Sequence, residues 1–420
     1  MVLQRDDHRG QTLLSHLVFG ADDVSYLRSS PGASALAAVA ELGLTDATRI
    51  ADVAAVRARF GEKAAVLVET TLLRRRAFDQ PGKLGPLGRQ VSQWLFTGEA
   101  LQQATAAPVA LHRAARLAAG PDGPDVVVHD ATCSVGTELA ALHGAGVRAL
   151  GSDIDPVRLA MAHHNVGATA VLCRADALHP VTRDTVVLVD PARRHGGRRR
   201  LNPDDYRPAL GRLIDLYRGR HLVVKCGPGM DFGMLRRCGF DGEIEVTSYR
   251  GSVREACLWS AGLAEPGVRR RASILDGASP GEQISDIEPE DCGVRPHGRW
   301  IVDPDGAVVR AGLVRHYGTR HGLWQLDPDI AYLSGDRLPP GVRGFEVLDE
   351  VAFDERRLRQ VLAARDCGAV EILARGVRLD PDALRRRLRL RGDQPLSVVV
   401  TRIGAGAAGR ATAFVCRPSR

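Results

Sequence analysis

Apolar positions in the first part of the chain recur at helical spacing. ASALAAVAELGL, DVAAVRARFG, KAAVLVETTLLRRRAF and GEALQQATAAPVALHRAARLAAG are rich in helix formers and are separated by Gly, Pro and Asp. That pattern predicts a helical region over residues 1–112, with PDGP at 121–124 closing the last segment. The period then changes. Short apolar runs alternate with helical stretches: VVVHD (126–130), VRALGSD (147–153), AVLCRAD (170–176), TVVLVD (185–190), HLVVKC (221–226) and ACLWSAG (256–262). Such runs predict an α/β domain over residues 113–264, a parallel sheet covered on both faces. In residues 265–342, ILDGASPGEQISDIEPED reads as linker and loop, and GRWIVDPDGAVVRAGLV with IAYLSGDRLPPG as a small mixed unit. Over 343–420, FEVLDEVAF, AVEILARG, LSVVVTRIG and ATAFVCRP read as strands, with DERRLRQVLAARD and DPDALRRRLRLRG as helices. The order β-α-β-α-β-β predicts a compact α+β domain.

Composition narrows the class. With 44% hydrophobic and 25% charged residues the chain is globular, and 420 residues exceed one ordinary core. A net charge of +7 and a pI near 9.2 point to an anionic partner. That signal is diluted, because almost every basic residue is Arg, a bias that GC-rich coding produces without function. Only Lys63, Lys83 and Lys225 are lysines, so each draws notice. The eight cysteines form no CxxC pair and no zinc-like spacing, which predicts free thiols, no metal site and a reducing cytoplasm. No run approaches 18 uninterrupted apolar residues, so no membrane span is expected. The first residues, MVLQRDDHRGQTLLSHLVFG, lack the apolar core of a signal peptide.

The chemistry gathers at the strand ends, where open α/β sheets bind ligands. HDATCSVGTELAAL (129–142) reads as strand, tight polar turn and helix start at Thr137. Its one glycine, Gly136, is not the G-x-G-x-x-G run of a dinucleotide site, so the turn suits a ligand without pyrophosphate. Asp153 ends the next strand about twenty residues on. An acid there can accept from two ribose hydroxyls. Asp155 reads as a helix cap before Pro156. Asp176 follows the third strand, within reach of an adenine amine. The fourth run ends in VDPARRHGGRRR (189–200), a carboxylate followed by five arginines. Lys225 ends the fifth, and Gln103 and Thr105 in LQQAT are placed to line the site.

These features together resemble class I S-adenosylmethionine-dependent methyltransferases, which share a Rossmann-like sheet. More closely, FTGEALQQATAAPVALHRAARL, VDPARR, KCGPGMD, VDPDGAVVRAGLV and AVEILARGVRLDPDALRRRLRLRG resemble bacterial members with a C-terminal THUMP-like domain, over roughly residues 70–420. The chain departs from them at Ser134, where glycine is usual, and at Cys226-Gly227, where Leu-Ser is expected. The resemblance implies an N-terminal helical domain, a Rossmann-like sheet and C-terminal ferredoxin-like and THUMP-like α+β units. It implies S-adenosyl-L-methionine at Asp130, Thr132, Cys133, Ser134, Gly136, Thr137, Asp153, Asp176 and Ala177. It implies catalysis by Asp190, Pro191 and Lys225, with Asp190 holding an acceptor nitrogen toward the methyl group. Pro191 stiffens that turn. Arg193, Arg194, Arg198, Arg199 and Arg200 are then expected to meet phosphates of a structured RNA. Five arginines in LRRRLRLRG, read as one helix, add to that expectation. Two alternatives stand beside it. One is a pyrimidine C5 RNA methyltransferase with Cys226 as nucleophile; the other is a methyltransferase for a protein or small molecule.

Overall fold

The structure is a computed structural model that describes residues 17–121, 123–192, 194–195, 198–199, 202–277, 281–404 and 409–419. The chain divides into two compact units. One runs to Arg269 and includes Leu275–Gly281; the other comprises Arg270–Ile274 and the chain from Glu282.

The first unit opens with helices α1 (Ala21–Arg28), α2 (Ser30–Ala40), α3 (Arg49–Phe60) and α4 (Ala64–Asp79). The Ser29 side chain caps α2 by accepting the Gly32 N–H. GEALQQATAAPVALHRAARLAAG, read as one helical stretch, forms two helices, α5 (Gly98–Gln103) and α6 (Ala107–Ala118). Ala104 is extended at ψ 132°, and Pro108 starts the second helix. Helix α6 runs through position 112. The helical core, built on Leu67, Leu73 and Phe96, also contains Val135 and Met161, so the helices pack directly onto the sheet domain.

That domain continues as β1 (Val127–Asp130), α7 (Thr137–Gly144), β2 (Arg148–Asp153), α8 (Pro156–Val166), β3 (Ala170–Arg174) and β4 (Val186–Val189). A short hairpin, β5 (Arg194–His195) with β6 (Arg198–Arg199), precedes α9 (Leu210–Leu216) and β7 (Leu222–Cys226). Helix α10 (Phe232–Arg237), β8 (Glu243–Tyr249) and β9 (Ser252–Trp259) complete it. Within this unit the strand order is β3-β2-β1-β4-β7-β9-β8. Strands β3, β2, β1, β4 and β7 are parallel, and β9 is antiparallel to both of its neighbours. The four residues of β4 are all buried, as a central parallel strand requires.

Strand β8, EIEVTSY, is not among the apolar runs read from the sequence, since glutamates interrupt it. All of its residues are buried. Arg116 of α6 donates to Glu243 at 2.7 Å and to Glu245 at 2.9 Å, and its guanidinium lies 4.0 Å from the Trp259 ring centroid. His112 and the Trp259 indole N–H also meet Glu245. The charges are buried because partners from one helix meet them.

In the second unit the expected loop ILDGASPGEQISDIEPED instead contributes to two antiparallel strands, β10 (Arg270–Leu275) and β11 (Glu282–Ser285). Next come β12 (Trp300–Val302), α11 (Gly306–Ala311), α12 (Val314–Arg320), β13 (Trp324–Asp327) and β14 (Ile330–Gly335). The chain ends in β15 (Gly344–Ala352), α13 (Glu355–Ala364), β16 (Cys367–Arg375), α14 (Pro381–Leu388), β17 (Gln394–Ile403) and β18 (Arg410–Pro418). A seven-stranded sheet runs β13-β14-β12-β15-β18-β17-β16, with β16 and β17 parallel across α14. LRRRLRLRG does not place five arginines on one helix. Helix α14 stops at Leu388, where Arg389 turns left-handed at φ 50°. Of the arginines it keeps, Arg385 bonds the Val370 carbonyl and Asp382, and Arg387 bonds Glu355. Among the described residues no helix is long and apolar enough to cross a membrane.

Removing Arg116 would take the guanidinium from two buried carboxylates. Arg116→Ala should cost about 3–5 kcal/mol, the range for breaking a buried ion pair on one side. A denaturant midpoint matching that of the parent chain would show that the pairing carries no such weight.

Candidate active site

From β1 the sheet grows one way to β2 and β3 and the other way to β4 and β7. The crevice at the carboxyl ends of β1 and β4 is therefore the topological switch point, where such sheets take ligands. Asp130 ends β1, Asp153 ends β2, Asp176 follows β3, Asp190 follows β4 and Lys225 is the penultimate residue of β7.

The turn after β1 is built for close approach. Ser134 sits at φ 50° and Gly136 at φ 91°, so the serine adopts the left-handed conformation that glycine would occupy more cheaply. A Cβ at Gly136 would come within 2.7 Å of Val166. The Thr132 N–H donates to Asp130 Oδ1 at 3.1 Å, and the Cys133 N–H to the Ser152 carbonyl at 2.9 Å. The Ser134 N–H donates to Asp153 Oδ2 at 2.9 Å. Helix α7 begins at Thr137, and its N-cap, Gly136, supplies no side-chain cap. Asn165 of α8 bonds the Val135 carbonyl and both backbone groups of Leu95, tying the helical region to this turn.

The Asp153 carboxylate also accepts the Asp155 N–H at 2.8 Å. Each of its oxygens retains a lone pair, because a carboxylate offers about four acceptor sites. Asp155 caps α8, as its position before Pro156 predicts. Asp176 is more open and accepts the Leu178 N–H, while the Ala177 carbonyl accepts the Tyr217 hydroxyl at 2.7 Å. Burial, reinforced by Glu138, pushes the Asp130 carboxyl up to about 8, so it is largely protonated at neutral pH.

At the other side of the crevice lies a buried ion cluster. The Lys225 ammonium donates to Asp190 Oδ2 at 2.6 Å, Thr105 Oγ1 at 2.5 Å and Glu138 Oε1 at 3.1 Å. Arg113 of α6 donates to Glu138 at 2.5 Å and to Glu255 of β9. Burial alone would push Lys225 down, but the Asp190 and Glu138 carboxylates more than reverse this and raise its pKa. Burial likewise opposes the charge on Glu138, yet Arg113 and Lys225 hold it at about 2. The Asp190 N–H donates to Thr132 Oγ1 at 2.7 Å, which fastens the β4 end to the turn after β1. The Asp190 side chain is 27% exposed and that of Lys225 only 5%, so a ligand can reach the carboxylate but not the ammonium.

Pro191 is buried directly after Asp190. Ala192 and Arg207 pair through two backbone bonds, closing the base of the arginine-rich segment. Arg194 and Arg198–Arg199 lie on the hairpin strands; Arg193 and Arg200 fall outside the described residues. Thr105 reaches the cluster as expected, whereas Gln103 points its amide at Glu99. The placement of Cys226 opposes the nucleophile reading. Its side chain is fully buried, its Sγ is 3.8 Å from the Val224 carbonyl, and strand alternation sets it opposite Lys225. Glu138, Arg113 and Glu255 escaped the sequence reading. Arg113 left a signal: it shares one α6 face with Ala110, Ala114 and Leu117, where a charge is unusual.

An open Rossmann-type sheet with acids at successive strand ends is the architecture of class I methyltransferases. Residues 342–418 match the family described as THUMP domain-like, and residues 20–77 match a domain of unknown function, DUF8688. Two relatives from strains of Mycobacterium tuberculosis, both described as uncharacterized S-adenosylmethionine-dependent methyltransferases, are 72% identical over 368 residues. The match covers 87% of this chain and 100% of each relative. A crystal structure from Porphyromonas gingivalis W83, provisionally assigned as a methyltransferase, is 16% identical with a TM-score of 0.72. It covers 96% of this chain and 100% of its own, and shows the shared fold.

The chain belongs to the S-adenosylmethionine-dependent methyltransferases, and S-adenosylmethionine is its cofactor. The residues at the switch point fit that group. Among the described residues the buried Thr137 hydroxyl, at the turn after β1, has no hydrogen-bond partner, and Asp153 has acceptor sites left for hydroxyls.

If Asp153 holds ribose hydroxyls, Asp153→Ala should weaken S-adenosylmethionine binding by about 1–3 kcal/mol. Isothermal titration measures this directly; an unchanged Kd would remove Asp153 from the cofactor site.

Proposed function

We propose that this enzyme methylates a nitrogen on a base of a structured RNA, with Asp190 positioning the acceptor. The observation that carries the reading is the reachable Asp190 carboxylate, fixed from behind by the buried Lys225 ammonium at 2.6 Å. Bound S-adenosylmethionine supplies an electrophilic methyl group. Everything else is position and charge. Asp190 accepts an N–H from an exocyclic amine or ring nitrogen, which turns the nitrogen lone pair away from the carboxylate and into the crevice. Lys225 keeps the carboxylate in one orientation while Thr132 holds its backbone, so little ordering remains when the substrate arrives. Pro191 restricts the turn that follows.

The RNA part of the reading is supported by the THUMP domain-like match at 342–418, since such modules occur in enzymes that act on structured RNA. The net charge of +7 agrees with it. Arg193, Arg194, Arg198, Arg199 and Arg200 are proposed to contact phosphates beside the acceptor. Asp153, Asp176 and the turn from Asp130 to Thr137, with Ala177, are proposed to hold the cofactor.

The test starts from a strain lacking the enzyme. Mass spectrometry of its total RNA should show one methylated nucleoside missing, and the purified enzyme should restore it. Asp190→Ala should lower that activity by at least about a hundredfold, the usual scale for lost positioning, with cofactor affinity near normal. Neutralising Arg198, Arg199 and Arg200 should flatten the salt dependence of RNA binding. An unchanged nucleoside profile in the deletion strain would remove RNA as the substrate.

A further inference from the structure

Lys83 is the one lysine without a carboxylate partner among the described residues, and the proposed mechanism does not use it. Lys63 pairs with Asp23, and Lys225 pairs with Asp190 and Glu138. The Lys83 ammonium donates to the Ala104 carbonyl at 2.8 Å, and no carboxylate stands within ion-pair distance among the described residues. The position is locked. The Ala107 N–H donates to the Lys83 carbonyl at 2.7 Å, the Leu84 N–H to the Ala77 carbonyl at 3.0 Å, and Gly82 lies so close to the Tyr249 ring that a Cβ there would be 2.3 Å from it.

Other cations collect around the same point. Arg76 stands in the last turn of α4, just ahead of the Lys83 turn. Arg254 of β9 lies 5.9 Å from the Tyr249 ring centroid, and Arg250, in the turn between β8 and β9, lies 5.4 Å from it. Among the described residues none of Arg76, Arg250 and Arg254 makes an ion pair with a carboxylate. Glu69, also on α4, makes no ion pair with Arg76 among the described residues; burial raises its pKa and the Arg76 charge offsets this only in part. Burial first, then Arg76, Lys225 and Arg254, pushes Lys83 down to about 8. Uncompensated like charges on a rigid frame cost stability unless an anion meets them.

The group adjoins the acceptor carboxylate. The Ala104 carbonyl holds Lys83, the next residue's hydroxyl holds Lys225, and Lys225 holds Asp190. We infer that Lys83, Arg76 and Arg254 form an anion subsite that receives a phosphate of the substrate beside the acceptor held at Asp190. This deepens the RNA reading by naming the group recognised next to the methylated base, and the same subsite would accept the phosphate of a small phosphate ester.

With only three lysines in the chain, the ε-methylene signals of lysine-labelled full-length protein can be followed singly by NMR, and Lys83→Arg identifies its signal. Adding inorganic phosphate at constant ionic strength should raise the Lys83 midpoint by about one pH unit, since a nearby anion favours the charged form. The Lys63 midpoint should not move, and Arg254→Ala should abolish the shift while leaving the Lys63 signal in place. A Lys83 midpoint unmoved by phosphate, or a shift shared equally by Lys63, overturns the subsite. A mixed-sequence oligoribonucleotide forms the second arm. If it moves Lys83 as phosphate does, the occupant is an RNA phosphate. If phosphate moves Lys83 and no RNA binds, the subsite stands for a small phosphate ester and the RNA reading falls. RNA binding with Lys83 unmoved overturns the subsite alone.

Discussion

A buried ammonium must be paired or it cannot stay charged, and Lys225 sets that constraint for this site. Its three N–H donors find Asp190, Glu138 and Thr105, so the donor inventory is filled. Each partner then imposes its own demand. Glu138, itself buried, needs Arg113; Arg113 needs Glu255 of β9. The chain has to bring α6, α7, β4, β7 and β9 together to satisfy one lysine. Desolvating so many charges is weak evidence for stability, and a well-packed apolar core would serve that end as well. What the cluster does provide is a single orientation for one carboxylate at the mouth of the crevice.

The helical region is part of the same construction. The break between α5 and α6 delivers Thr105 to Lys225 and the Ala104 carbonyl to Lys83. Asn165 fastens Leu95 to Val135, and the helical core takes in Val135 and Met161. The turn after β1, the Asp190 carboxylate and the helices thus share one rigid frame. Preorganisation of this kind suits a displacement in which little proton chemistry is required and geometry sets the rate.

Much of this was legible in the sequence, because ligand chemistry in open α/β sheets concentrates at strand ends and short apolar runs mark those ends clearly. The turn at Ser134 is instructive: serine replaces the usual glycine, yet its backbone takes the left-handed conformation, so the turn keeps its shape. What stayed hidden depended on partners far away in sequence. Glu243 and Glu245 interrupt the apolar pattern of β8, and their burial depends on Arg116 and His112, more than a hundred residues earlier in the chain. The helix break at Ala104 and the stop at Arg389 follow from backbone conformations that composition hardly marks. Arg113 was readable, as a charge on the apolar face of α6.

The central claim is that Lys225 acts through Asp190, and a double-mutant cycle on turnover tests it most directly. Methylation of RNA from a strain lacking the enzyme would be measured for Asp190→Ala, Lys225→Met and the pair, with cofactor affinity followed in parallel. If the lysine serves only to hold the carboxylate, the double variant should be no slower than Asp190→Ala alone. Losses that multiply in the double variant would contradict the account, because the two residues would then act independently.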